Sequence, residues 1–126
     1  MHNLVLGMEN QNEEIVAFIE KNELQLRKGV LVYAVLQVLK HGPVYSSDIL
    51  AKLRQANLIV VEGTVYPLLS RLADEKILGY EWQESSSGPP RKYYQLTRSG
   101  ELALKQISIR MSATIKSIKT LEEGKS

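Results

Sequence analysis

Between Glu62 and Leu121 the spacing of the apolar residues changes twice, and few folds accommodate two such changes in so short a stretch. Val65, Leu68, Leu69 and Leu72 recur at the three- and four-residue spacing of one helix face. Leu78, Tyr80 and Trp82 then alternate with Gly79, Glu81 and Gln83, the period of a strand with one buried face. Ser85 to Pro90 is polar and rich in Gly and Pro. Arg91 to Leu96 alternates again, with Tyr94 and Leu96 on one face and Tyr93 and Gln95 on the other. The two stretches read as a β-hairpin with a six-residue tip. From Thr97, a capping residue, helical spacing returns. Leu104, Ile107, Met111, Thr114, Ile118 and Leu121 form a coiled-coil-like seam, while Leu102 and Ile109 lie off it and are expected to face the domain. Glu122 to Ser126 reads as a frayed tail.

Upstream the chain reads as helical. Residues 1–11 show no clear period and are expected to be mobile. Asn12 can cap a short helix that ends near Asn22, with Glu13 and Glu14 at its positive end and Ile15, Phe18 and Ile19 in one stripe. A separate helix follows over 24–40. Its Val30 to Leu39 leaves hardly any polar face, so it should be buried on more than one side, by a second subunit as well as its own core. His41-Gly42-Pro43 stops it. Ser46 or Ser47 caps the next helix, which turns Ile49, Leu50 and Leu53 inward. Residues 56–61 connect it to a third helix over about 62–76, whose outer face carries Thr64, Pro67, Ser70, Arg71 and Asp74. Pro67 lies early in that helix, so its start should be strained or tighter than usual.

Helices followed by a two-stranded hairpin and a final helix make a winged helix-turn-helix. The expected fold is mainly α with a two-stranded β-wing, plus a long C-terminal dimerisation helix. It divides into an acidic, partly helical extension (1–23), a DNA-binding domain (24–98), and the dimerisation helix with its tail (99–126). In this plan the third helix enters the DNA major groove and the wing reaches flanking backbone or minor groove. An apolar seam on a projecting helix should pair with a copy of itself, which makes a homodimer. Leu104, Ile107, Met111, Ile118 and Leu121 are the candidate dimer residues, with Val30 to Leu39 opposite.

A basic body is compatible with a polyanionic partner such as double-stranded DNA, and also with a plain solvated surface; charge alone does not decide between them. The net +2 combines one base and five acids in residues 1–23 with fifteen bases and nine acids in the remainder. The chain contains no Cys, which excludes disulfides and thiol catalysis. Its longest apolar run, Gly29 to Leu36, is eight residues, too short for a membrane span, and no secretory signal is visible, so a cytoplasmic protein is expected. His2 and His41 lack metal-ligand spacing, Ser86 and Ser87 have no paired base, and no phosphate cradle appears. No cofactor, metal site or enzymatic activity is expected.

Two runs resemble a known family. Glu62-Gly63-Thr64-Val65-Tyr66-Pro67-Leu68-Leu69-Ser70-Arg71-Leu72 is similar to the third-helix signature of PadR-type transcriptional regulators. Pro90-Arg91-Lys92-Tyr93-Tyr94-Gln95-Leu96-Thr97-Arg98-Ser99-Gly100 resembles their second wing strand and its exit, and Leu26-Arg27-Lys28-Gly29-Val30-Leu31 the start of their first helix. The resemblance spans about 26–121 and implies a sequence-specific homodimeric regulator, a repressor, on a palindromic operator. It also implies the small subgroup with a single terminal helix. Tyr45-Ser46-Ser47 departs from the family's Tyr-Gly-Tyr run, which shortens the reach of position 47 toward a phosphate. The last helix has no aromatic residue, so flat ligands are not held between aromatic rings there, and no small-molecule effector is identified.

The candidate DNA-binding residues each have a structural alternative. Thr64 and Tyr66 can reach base edges or phosphates, or else cap the helix and pack on the second helix. Ser70 lies further along the same face. Arg71 can bond a phosphate or a guanine, or simply pair with Asp74 or Glu75. Tyr45, Ser46 and Ser47 can clamp a phosphate at a helix N-terminus, or merely cap it. Arg91 and Lys92 flank the wing tip and are expected to meet phosphates together; Tyr93 can touch backbone, whereas Tyr94 belongs to the core. Trp82, on the side of Leu78 and Tyr80, is expected in the core or a subunit contact. The competing function is a winged-helix protein-interaction module that does not bind DNA, because a fold does not fix a function.

Overall fold

The computed structural model describes residues 2–58 and 62–125; Ile59 to Val61, the end of the expected connector, lie outside them, as do the side chains of residues 2–9 and Glu62. The elements in order are α1 (His2–Val38), β1 (Val44–Tyr45), α2 (Ser46–Gln55), a 3-10 turn (Glu62–Thr64), α3 (Val65–Asp74), β2 (Leu78–Ser85), β3 (Gly88–Leu96) and α4 (Arg98–Glu122). The strands form one antiparallel sheet in the order β1-β3-β2. The winged helix-turn-helix expected from the apolar spacing is present, with a small third strand added to its wing.

α1 differs from the expectation of two helices. It is continuous over 37 residues, and it includes residues 2–11, where the sequence shows no period. No proline precedes Pro43, so nothing in this stretch removes a helical N–H. The place where a break was expected is bridged locally. Asn22 Nδ2 donates to Phe18 O at 2.8 Å, and Arg27 pairs with Glu23 one turn away at 2.7 Å. Arg27 also donates to Asn57 O at 2.6 Å, which ties α1 to the end of α2.

The core is a single cluster. Val35 and Leu36 of α1 and Leu39 just after it meet Ile49 and Leu53 of α2, Val65, Leu69 and Leu72 of α3, Leu78 and Tyr94 of the sheet, and Leu104 of α4. Each such side chain contributes roughly 1.5–3 kcal/mol by leaving water. Of Val30 to Leu39, only Ala34, Val35, Leu36 and Leu39 are buried by the chain itself; the others are half-buried.

Three helices close in one way. After α2, Asn57 takes a φ of 57° while Leu58 N–H returns to Leu53 O; after α3, Lys76 takes 63° while Ile77 N–H returns to Leu72 O. After α4, Gly124 takes 70° and Lys125 N–H returns to Thr120 O. This left-handed ending satisfies carbonyls that would otherwise lack donors. Pro67 is the third residue of α3, and the 3-10 turn over Glu62–Thr64 leads into that helix, the tighter start expected for α3.

The hairpin is longer and its turn tighter than expected. Strand pairing runs from Leu78–Leu96 out to Ser85–Gly88, leaving a two-residue turn instead of a six-residue tip. Pro89 and Pro90 lie inside β3 because the ladder is irregular between Gln83 and Ser85, where a missing N–H costs no regular bond.

Thr97 joins three elements. Its Oγ1 accepts from Gly100 N–H at 3.0 Å, the expected cap, and donates to Lys76 O at 2.6 Å, with Ile77 O at 3.0 Å. Its own N–H donates to Ile77 O at 3.1 Å. Gly100 sits so close that a Cβ there would stand 2.1 Å from the carbonyl oxygen of Ile77. The start of α4 is thus clamped onto the link between α3 and β2.

That clamp fixes the rotation of α4, and the rotation differs from the expected one. Leu104 is buried in the domain core, Ile107 packs against that core and Met111 is half-buried beside α1. Leu102 and Ile109, expected to face the domain, are exposed instead. The distal half of the seam, Thr114, Ile118 and Leu121, is left open, together with Ile115.

Candidate nucleic-acid interface

α3 has two unlike sides. Val65, Leu69 and Leu72 are buried and anchor it, while Tyr66, Pro67, Ser70 and Arg71 face outward with Thr64 just before them. Tyr66 is 44% exposed, so it does not pack away beneath α2. Thr64 occupies the N-cap position. Arg71 Nε lies 3.6 Å from Glu75 Oε1, an exposed ion pair worth little in water, so the guanidinium remains able to turn to a stronger anion.

Tyr45, Ser46 and Ser47 are arranged otherwise than expected. Tyr45, not a serine, is the N-cap of α2, with extended backbone and no side-chain cap bond. It belongs to β1, where it pairs with Tyr93 of β3. The two rings lie 5.6 Å apart at 38°, and the Arg91 guanidinium carbon stands 5.0 Å over the Tyr45 ring. Ser47 is exposed and Ser46 half-buried in the first turn of α2, near the exposed Asp48. The start of α2 and one face of the wing thus form a continuous surface of Tyr45, Tyr93 and Arg91.

Arg91 and Lys92 do not lie together. Neighbours along a strand point to opposite faces, and Lys92 shares the face of Tyr80, Trp82 and Tyr94. Its Nζ stands 4.0 Å over Tyr80, 5.0 Å over Tyr94 and 5.7 Å over Trp82. Rings that close hold an ammonium by their negative faces, worth roughly 0.5–2 kcal/mol depending on desolvation. Tyr94 is buried, as expected. Trp82 is 63% exposed, which removes the core from its two expected places and leaves the subunit contact: the sheet face that is apolar at its base continues past the helices into solvent.

Sequence reasoning missed β1, since two residues carry no period, and it missed the ring contacts, which depend on cross-strand register. The run of Tyr45, Tyr93 and Tyr94 was the available signal, but only the pairing shows which ring meets which cation.

Among the described residues no group of His, Cys, Asp and Glu could hold a metal, and no helix is long and apolar enough to cross a membrane.

Comparison with known proteins places this arrangement. Residues 35–106 match the model of the transcriptional regulator PadR-like family. A PadR-like transcription factor from Bacteroides fragilis is 46% identical, with 80% of this chain and 98% of that one covered at a TM-score of 0.67. A PadR family transcriptional regulator from Eggerthella lenta is 30% identical, covering 85% and 94% at a TM-score of 0.76. Bacillus subtilis PadR in complex with operator DNA is 28% identical, covering 64% of this chain and 46% of that one at a TM-score of 0.58. No curated protein matches the chain. With the family's model over more than half its length and the same fold in its relatives, the chain belongs to the PadR-like family, whose members are transcriptional regulators and not enzymes.

Proposed function

We propose that the protein is a cytoplasmic repressor that binds a palindromic operator as a homodimer. The observation that carries this reading is α3, a helix fixed by Val65, Leu69 and Leu72 that turns Thr64, Tyr66, Ser70 and Arg71 outward. The relative from Bacillus subtilis, solved with operator DNA, supports it. Thr64 and Tyr66 enter the groove first and select bases, with Ser70 and Arg71 following along the same face. Tyr45, Ser46, Ser47, Arg91 and Tyr93 grip one stretch of phosphates from the α2 start and the wing. Lys92 meets phosphate from the other wing face, its ammonium held in place by Tyr80. A two-fold dimer would present two copies of α3 to a palindromic site.

The experiment is DNA affinity over a range of salt, using fragments the protein selects from its own genome and an unrelated duplex. Thr64→Ala and Tyr66→Ala should cost roughly 1–3 kcal/mol per lost base contact on the selected site and little on the other. Arg91→Ala and Lys92→Ala, made separately, should weaken both, each flattening the log–log salt slope by about one unit per lost phosphate contact. Wing variants that change neither slope nor affinity would remove the wing from the interface. Absence of DNA binding at low salt would favour a protein-interaction module.

A further inference from the structure

The wing carries an aromatic face with an open end. β2 and β3 pair Leu78 with Leu96, Tyr80 with Tyr94 and Trp82 with Lys92, so these side chains share one face of the hairpin. At the base of that face Leu78 and Tyr94 are buried. Toward the tip Tyr80 is half-exposed and Trp82 more open still, so exposure grows as the hairpin leaves the helices. An open indole beside an open phenol is contact surface and not core, and tryptophan is enriched among the residues that anchor interfaces.

Lys92 completes the face. It is half-buried because the rings of Tyr80, Tyr94 and Trp82 gather round its ammonium. A lysine normally gives up much rotamer freedom when it binds; here the rings have already taken part of that loss. Of the acids in β2, Glu81 pairs with Tyr93 and so lies on the opposite face, and Glu84 falls in the irregular step past Gln83. The face therefore offers one held cation and one flat ring side by side. Each nucleotide of duplex DNA offers their complements: a charged phosphate for the ammonium and, next to it, the C–H side of a deoxyribose for the indole.

We propose that Trp82 is a DNA contact, its indole laid against the deoxyribose of a nucleotide whose phosphate Lys92 takes, with Tyr80 positioning the ammonium from behind. DNA is the occupant, in place of a second copy of the chain, because the face is cationic and belongs to a hairpin whose other face carries Arg91 one residue away. Neither sugar nor phosphate differs between sequences, so the contact adds grip and no choice of bases. It deepens the DNA-binding reading and rests on it.

Trp82 is the only tryptophan of the chain, so its emission can be followed in the full-length wild type. Acrylamide quenches an indole by collision and so measures how open the ring is, while a mobility shift establishes duplex binding independently. Quenching should fall severalfold on a bound duplex, selected or unrelated, and should not change when the protein is diluted without DNA. Trp82→Ala should weaken both duplexes about fivefold or more, the low end for a ring laid on a nucleotide, and leave the log–log salt slope as it is, because an indole releases no counterion. Trp82→Phe should recover most of that loss. Tyr80→Leu should weaken binding only while Lys92 is present and have no effect in a Lys92→Ala background. A Trp82 as open on bound duplex as off it would overturn the contact and leave the regulator standing. Protection that follows protein concentration instead of DNA would make the face a subunit contact. A Trp82→Ala chain that melts lower yet binds both duplexes like the wild type would reduce the ring to a brace between the two strands. Failure to bind any duplex at low salt would remove both readings.

Discussion

The body of this molecule and its two arms, the outer stretches of α1 and α4, use the same residue types to different ends. In the body Val35, Leu36, Ile49, Val65 and Leu69 have no exposure at all, closed in by four helices and a sheet. On the arms Phe18 and Leu121 are 67% and 73% exposed, although their spacing is just as regular. Periodicity therefore tells which residues share a side, and the neighbours decide whether that side is covered. α4 shows both outcomes along one helix, since its row is core at Leu104 and open at Ile118.

The sharpest way to break the comparison is at the joint between the two regions. Gly100→Ala would push a methyl into the Ile77 carbonyl, and no rotamer relieves a backbone clash. We expect a loss of about 4 kcal/mol or failure to fold, read by thermal melting. If Gly100→Ala melts like the wild type, the joint is not rigid.

Next in size is a paired truncation. Leu69→Ala, in the body, should cost about 3 kcal/mol in urea unfolding at every protein concentration. Ile118→Ala, on the arm, should leave unfolding of the dilute chain within about 0.5 kcal/mol, as for an exposed residue, and act on subunit association instead. Equal losses in both would mean that the arm is part of the body's own core.

The smallest effect has the opposite sign. Body and arm end their helices alike, but α3 places Lys76 where α4 places Gly124. A side chain at positive φ costs roughly 1 kcal/mol, so Lys76→Gly should raise stability by up to that amount while keeping the carbonyl that Thr97 uses. A lowered melting point would show that the lysine side chain contributes more than its backbone costs.

Much of this was legible in the sequence. The order of helices and wing followed from apolar spacing, and the cap at Thr97 and the tight start at Pro67 from residue chemistry. The unity of α1 did not, because the residues it buries in the core, Val35 and Leu36, lie on another face from Ile15 and Ile19, which imitates a break. The rotation of α4 was hidden because both Leu104 and Leu102 head plausible rows, and only the Gly100 contact with Ile77 chooses between them. On the wing, outward positions could be read from alternation. The division of Arg91 and Lys92 between two faces was equally available, and the attraction of two adjacent cations obscured it.

The clamp at Thr97 and Gly100 has a consequence for measurement of length along DNA. If two copies join through α4, each α3 is held to its own α4 by bonds that leave no hinge, so the pair works as a caliper with a set opening. Half-sites one helical turn apart, about 10 base pairs, would fit or fail according to that opening. A base pair added between them could not be absorbed by the protein and would have to be taken up by twisting or bending the duplex, so the stiffness of the bases between the half-sites, which no side chain touches, would enter the affinity.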